Sequence, residues 1–103
     1  MIGDLFSKLQ EARQKIEESK KRLNSIIVES NVDNGSITVK ANANKVVTNI
    51  DISDEFFKKA DKEAIEDLML TAVNRALEEA AQKGEAEMKT ITKDMLPNFP
   101  GLL

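Results

Sequence analysis

The sequence contains no cysteine, no histidine, no tryptophan and no tyrosine. Without cysteine there is neither a disulfide nor a thiolate metal site, and nothing calls for an oxidising compartment. With histidine missing as well, the usual nucleophiles and general bases have nowhere to reside, so an enzyme is not expected. The four glycines stand singly at positions 3, 35, 84 and 101, which excludes a glycine-rich loop that cradles phosphate. Four phenylalanines are the only aromatics, too few for a single-strand binder that stacks bases. No apolar run exceeds three residues ("IIV", "LML"), so no helix is expected to span a membrane. The N-terminal "MIGDLFSKLQ" carries Asp4 and Lys8 where a signal peptide would be apolar. The expectation is a cytoplasmic domain with no cofactor, no metal, no membrane partner and no small-molecule substrate.

The 103 residues suffice for one domain. Helix faces longer than so small a core requires invite cover by a second copy of the chain. A net charge of −3 argues against a generally basic nucleic-acid binder, but the charge is unevenly spread. Residues 1–25 hold six bases against four acids, whereas residues 61–103 hold five against nine.

The basic segment, "DLFSKLQEARQKIEESKKRLNS", repeats apolar or small residues at Ile2, Leu5, Leu9, Ala12, Ile16, Ser19 and Leu23. That 3-4 spacing predicts a helix with a narrow apolar seam. Lys8, Lys15 and Arg22 run along one flank of the seam, and Arg13 and Lys20 along the other, with Lys21 set away from it. Two readings stay open: the flanks contact phosphates, or they pair with acids on a neighbouring helix. A parallel self-pair in register would set base against base and repel.

Asn34-Gly35 between alternating segments predicts a hairpin with a type I′ turn. Ile26, Val28 and Val32 alternate before it; Ile37, Val39 and Ala41 alternate after it. Asn42-Ala43-Asn44 predicts a second turn, with Asn in the left-handed region. Val46, Ile50 and Ile52 are expected on one face of a third strand, completing an antiparallel meander apolar on one side. The acids from Asp51 to Asp67 match no calcium loop. Ser53 or Asp54 is expected to cap a short turn holding Phe56 and Phe57, and Asp61 a long helix running to about Lys93. That helix has an apolar face of Ile65, Leu68, Met69, Ala72, Val73, Ala76 and Ala80. Past Gln82 the pattern loosens and Gly84 weakens helix propensity, so the end is expected to project. The domain is expected to cover residues 1–96, with 97–103 ("PNFPGLL") a short irregular tail.

The heptad "LQEARQKIEESKKRL", the meander "NGSITVKANANKVVTNIDIS", the helix "EDLMLTAVNRALEEAAQK" and the ending "LPNFPGLL" resemble, in order and spacing, the YbaB/EbfC family of bacterial nucleoid-associated proteins. The resemblance implies an α+β fold: a helix–three-stranded antiparallel meander–helix protomer of two layers, forming a homodimer with projecting helices. It also implies largely sequence-nonspecific binding of double-stranded DNA by residues on both helices, and a place in the nucleoid with a role in chromosome organisation or gene regulation. Candidates are Lys8, Arg13, Lys15, Lys20, Lys21 and Arg22 on the first helix, and Lys89 and Lys93 on the end of the second. The sequence departs from the family at Ala43, where glycine is usual, and in the acidity of its second long helix. The alternative is a structural or protein-interaction dimer with no physiological DNA binding.

Overall fold

The computed structural model describes residues 2–95; the expected tail lies outside the described residues. The chain runs α1 (Ile2–Ser25), β1 (Ile27–Val32), β2 (Ile37–Asn42), β3 (Val47–Ile52), α2 (Asp54–Lys59) and α3 (Lys62–Met95). This is the predicted α+β order, with α2 as the short turn before the long helix.

The three strands form an antiparallel sheet in the order β1-β2-β3. Its inner face is built by side-chain alternation: Val28, Ser30 and Val32 of β1 stand opposite Ala41, Val39 and Ile37 of β2. Helix α3 lies across this face with Ala72, Ala76 and Ala80, all fully buried, against Val32, Ile37, Val39 and Ala41. Three alanines four residues apart keep the helix close to the sheet, and Leu68, Met69, Val73, Val28, Val47, Ile52 and Phe56 close the core around them. Ser30 is the polar intruder, a buried hydroxyl with no hydrogen-bond partner among the described residues.

Both helix starts after the sheet are capped as expected. The Ser53 hydroxyl accepts from the Phe56 N–H at 3.1 Å, and the Asp61 carboxylate accepts from the Ala64 N–H at 2.8 Å.

Both hairpin turns differ from expectation in detail. In the first, Asn34 (φ 55°) and Gly35 (φ 92°) are left-handed as predicted, and the Ser36 N–H donates to the Asp33 carbonyl at 3.1 Å. Asp33 is left-handed too (φ 52°), so Val32 and Ile37 form the last strand pair and the loop holds four residues rather than two. In the second turn the left-handed residue is Lys45 (φ 64°), not an asparagine. The Asn42 side chain accepts from the N–H groups of Asn44 and Val46, and this ring holds the turn while the twist falls on Lys45. A bulge between Lys40 and Ala41 then shifts β3 by one residue. Val47 therefore stands opposite Ala41 on the inner face in place of Thr48, and Val46, expected on that face, is exposed.

The second turn packs into the junction of the two long helices. The Ala43 N–H donates to the carbonyls of Leu23 and Ile26 at the end of α1, and its own carbonyl faces Gly84 of α3. A Cβ at Gly84 would stand far inside van der Waals contact of that oxygen. The glycine that weakens helix propensity is thus the position where helix meets turn.

Beyond this junction α1 and α3 run antiparallel as an arm. From its start to Glu87, α3 covers roughly 38 Å, and α1 carries on about 30 Å past that level at 1.5 Å per residue. The two lengths account for the 68 Å long axis. The seam of α1 is buried at Leu23 and Ser19, half-buried at Ile16 and Ala12, and open at Leu9 (56% exposed) and Leu5 (62%).

Gly84→Ala is expected to lower stability by about 1–3 kcal/mol through the clash with the Ala43 carbonyl, outweighing a propensity gain of about 1 kcal/mol; chemical denaturation measures the sign. Gly35→Val acts by a different cause, since among the described residues a Cβ there meets only the Asn31 amide at 4.0 Å, and the left-handed backbone is what objects. A loss of about 1 kcal/mol or more is expected in thermal unfolding.

Candidate nucleic-acid interface

All eight candidate bases are exposed: Lys8, Arg13, Lys15, Lys20, Lys21, Arg22, Lys89 and Lys93. The structure divides them into three groups.

Arg22, on the flank shared with Lys8 and Lys15, turns toward α3 and forms an ion pair with Glu87, Nη2 to Oε2 at 2.5 Å. The guanidinium remains 63% exposed while the Glu87 carboxylate is 22% exposed. At this level the ion-pairing reading of the flank is realised: a base of the first helix meets an acid of the second.

The other flank is differently placed. Arg13 and Lys20 lie seven residues, or roughly 10 Å, apart along it, with Lys21 beside Lys20. Among the described residues no carboxylate lies within ion-pair distance of Arg13, Lys20 or Lys21. Their mutual repulsion is weak in water but adds to a field that favours an anion.

Lys89 and Lys93 form a third group. Lys89 is two positions from Glu87, about 200° around α3, so it faces away from α1; Lys93, four residues on, shares its face. These lysines and the bases of α1 do not converge on one surface of a single chain.

The backbone of α1 is secured where its bases cluster. The Ser19 hydroxyl, buried in the seam, donates to the Lys15 carbonyl at 2.6 Å, and the Ser25 hydroxyl donates to the Arg22 carbonyl at 2.7 Å. The Asn44 amide donates to the Lys20 carbonyl at 2.9 Å and to the Asn24 side-chain oxygen at 2.6 Å. Lys45, next to this anchor, is a base that the helix patterns do not single out. Its signal in the sequence is its place after Asn44, where the turn ends. Among the described residues no group of three or more acids has metal-binding geometry, and no helix is long and apolar enough to cross a membrane.

The described residues form a two-layer unit with a helical arm that carries exposed bases. The model of the YbaB/EbfC DNA-binding family matches residues 1–95, and the chain belongs to that family. A nucleoid-associated protein of Flavobacterium johnsoniae is 32% identical over 95% of this chain and 91% of its own length. The nucleoid-associated protein Teth514_0034 of a Thermoanaerobacter species is 34% identical over 98% of this chain and 89% of its own. The crystal structure of the uncharacterized protein HP0035 from Helicobacter pylori superposes with a TM-score of 0.73 at 20% identity, covering 93% of this chain and 97% of that one, which establishes the shared fold.

In a double-mutant cycle of Arg22→Ala and Glu87→Ala the expected coupling is below about 1 kcal/mol, because the pair is largely solvated. It is expected to shrink further in high salt.

Proposed function

We propose that this protein binds double-stranded DNA as a homodimer in the bacterial nucleoid, mostly through phosphate contacts, and serves chromosome organisation or gene regulation. The observation that carries the reading is the open basic side of α1, where Arg13 and Lys20 on one flank and Lys21 beside Lys20 are exposed and free of carboxylate partners among the described residues. Membership of a DNA-binding family and relatives named nucleoid-associated proteins support it. Lysine and arginine contacts to phosphate position a protein on the duplex with little sequence information. Lys8 and Lys15 extend the contact toward the tip of the arm, while Lys89 and Lys93, beside Glu85 and Asp94 in sequence, contribute less.

Dimerisation is supported by the apolar surface a single chain leaves open. The outer half of the α1 seam is exposed, and so is Ile50 (44%) on the inner face of β3, which α3 barely reaches. Phe57 and Leu70 are also exposed. A second copy covering such surface would set two basic flanks on one particle and offset the charge of −3 per chain locally.

The interaction-dimer alternative draws on the Arg22–Glu87 pair, in which a base of α1 is already satisfied by α3.

Light scattering at micromolar concentration is expected to give twice the 11.5 kDa chain mass; a folded particle of single-chain mass overturns the dimer. For DNA, Arg13→Glu with Lys20→Glu is expected to weaken binding to all duplexes alike. The slope of log affinity against log salt should flatten by about 0.9 for each phosphate interaction removed. Parent-like DNA binding by this variant would transfer the lead to the interaction dimer.

A further inference from the structure

We infer that the β2–β3 turn completes a phosphate-binding corner with α1, in which Lys45 joins Lys20 and Lys21. This rests on the DNA-binding reading above and adds to it a residue outside both helices.

The corner follows from hydrogen bonds. Asn24 is four residues after Lys20 and three after Lys21, so the three share one face at the end of α1. Asn44 docks on that face, its amide donating both to the Lys20 carbonyl and to the Asn24 side chain. Lys45 is the next residue, its Cα about 3.8 Å from that of Asn44. The turn has little freedom to move away. Ala43 is tied to the carbonyls of Leu23 and Ile26, and the Lys45 N–H donates to the Asn42 carbonyl at 3.0 Å. Three exposed lysines therefore extend from one hydrogen-bonded stretch of backbone. None of the three is in an ion pair among the described residues. The carboxylate next along the face is Glu17, one turn up and four residues before Lys21, and it too stands outside ion-pair distance.

The backbone adds an independent argument. Lys45 has φ 64°, a region that glycine and asparagine enter readily and lysine does not. Asn44 is adjacent, yet the left-handed position holds lysine, and strain retained at one position directs attention to what its side chain does. A cation on this frame, close in the backbone to two more and with no ion-pair partner among the described residues, fits a phosphate of the DNA backbone.

The test measures binding of a fluorescein-labelled mixed-sequence duplex across a salt series, with thermal unfolding in parallel, for the parent, Lys45→Gln, Lys45→Gly and Lys45→Arg. The corner predicts that Gln and Gly each flatten the slope of log affinity against log salt by about 0.9, the share of one phosphate, and that Arg preserves it. Lys45→Gly is also expected to raise the melting temperature by relieving the left-handed backbone, so affinity and stability move in opposite directions. Should Lys45 serve only to complement the α1 C-terminus, Gln would lower the melting temperature and leave the slope unchanged, which overturns the inference. A parent that binds and responds to Arg13→Glu with Lys20→Glu, but not to Lys45→Gln, rejects the corner alone. A parent that binds no duplex rejects the DNA reading and the corner with it.

Discussion

The contact of the Ala43 carbonyl with the bare backbone of Gly84 is the constraint on which the arrangement of the long elements depends. One short turn touches everything that must be aligned. Its amide at Ala43 ends α1, its carbonyl sets the distance to α3, and its Asn44 fixes the side of α1 on which it sits. Any side chain at position 84 would lift α3 away from the turn and open the junction from which the arm departs. Glycine costs helix stability inside a 34-residue helix, and the close approach gives it a reason to be there.

The same junction explains how an acidic chain can carry a cationic surface. Charges on an antiparallel helix pair need not mix. Arg22 is drawn across to Glu87, whereas Arg13 and Lys20 lie on the other flank and Lys21 farther from the seam, all outside ion-pair distance of the described carboxylates. Over the short screening distance of physiological salt a phosphate responds to the nearest few charges rather than to the total. The net −3 then bears on solubility and nonspecific association more than on the flank itself.

Much of this is legible in the sequence because local periodicity decides it. The alternation of residues 28–41, the alanines of α3 and the caps at Ser53 and Asp61 each depend on neighbours a few positions away, and each takes its predicted place. What escapes depends on residues far apart. Position 84 reads as a weak point in a helix until a turn some forty residues earlier is seen against it. The exchange of Val46 for Val47 comes from a bulge, which adds one residue to one strand and leaves no periodic trace. Lys45 is hidden because asparagine is the usual left-handed residue, and here the Asn42 side-chain ring places that conformation one position later. Of the candidate interface, the existence of two basic flanks is readable from the heptad. That α3 engages one of them at Arg22 is not, since it requires knowing which residues of α3 lie alongside α1.

The order of the sheet has a kinetic consequence. Because β1, β2 and β3 are neighbours in both sequence and space, each hairpin closes over a short loop and gives up little chain entropy in doing so. Helices α1 and α3 likewise form from local bonds. The demanding event is the return of α3, which must bring Glu87 beside Arg22 across 65 positions of chain. A chain built this way should spend its search time on one long closure, with the finished β2–β3 hairpin as the template that receives it.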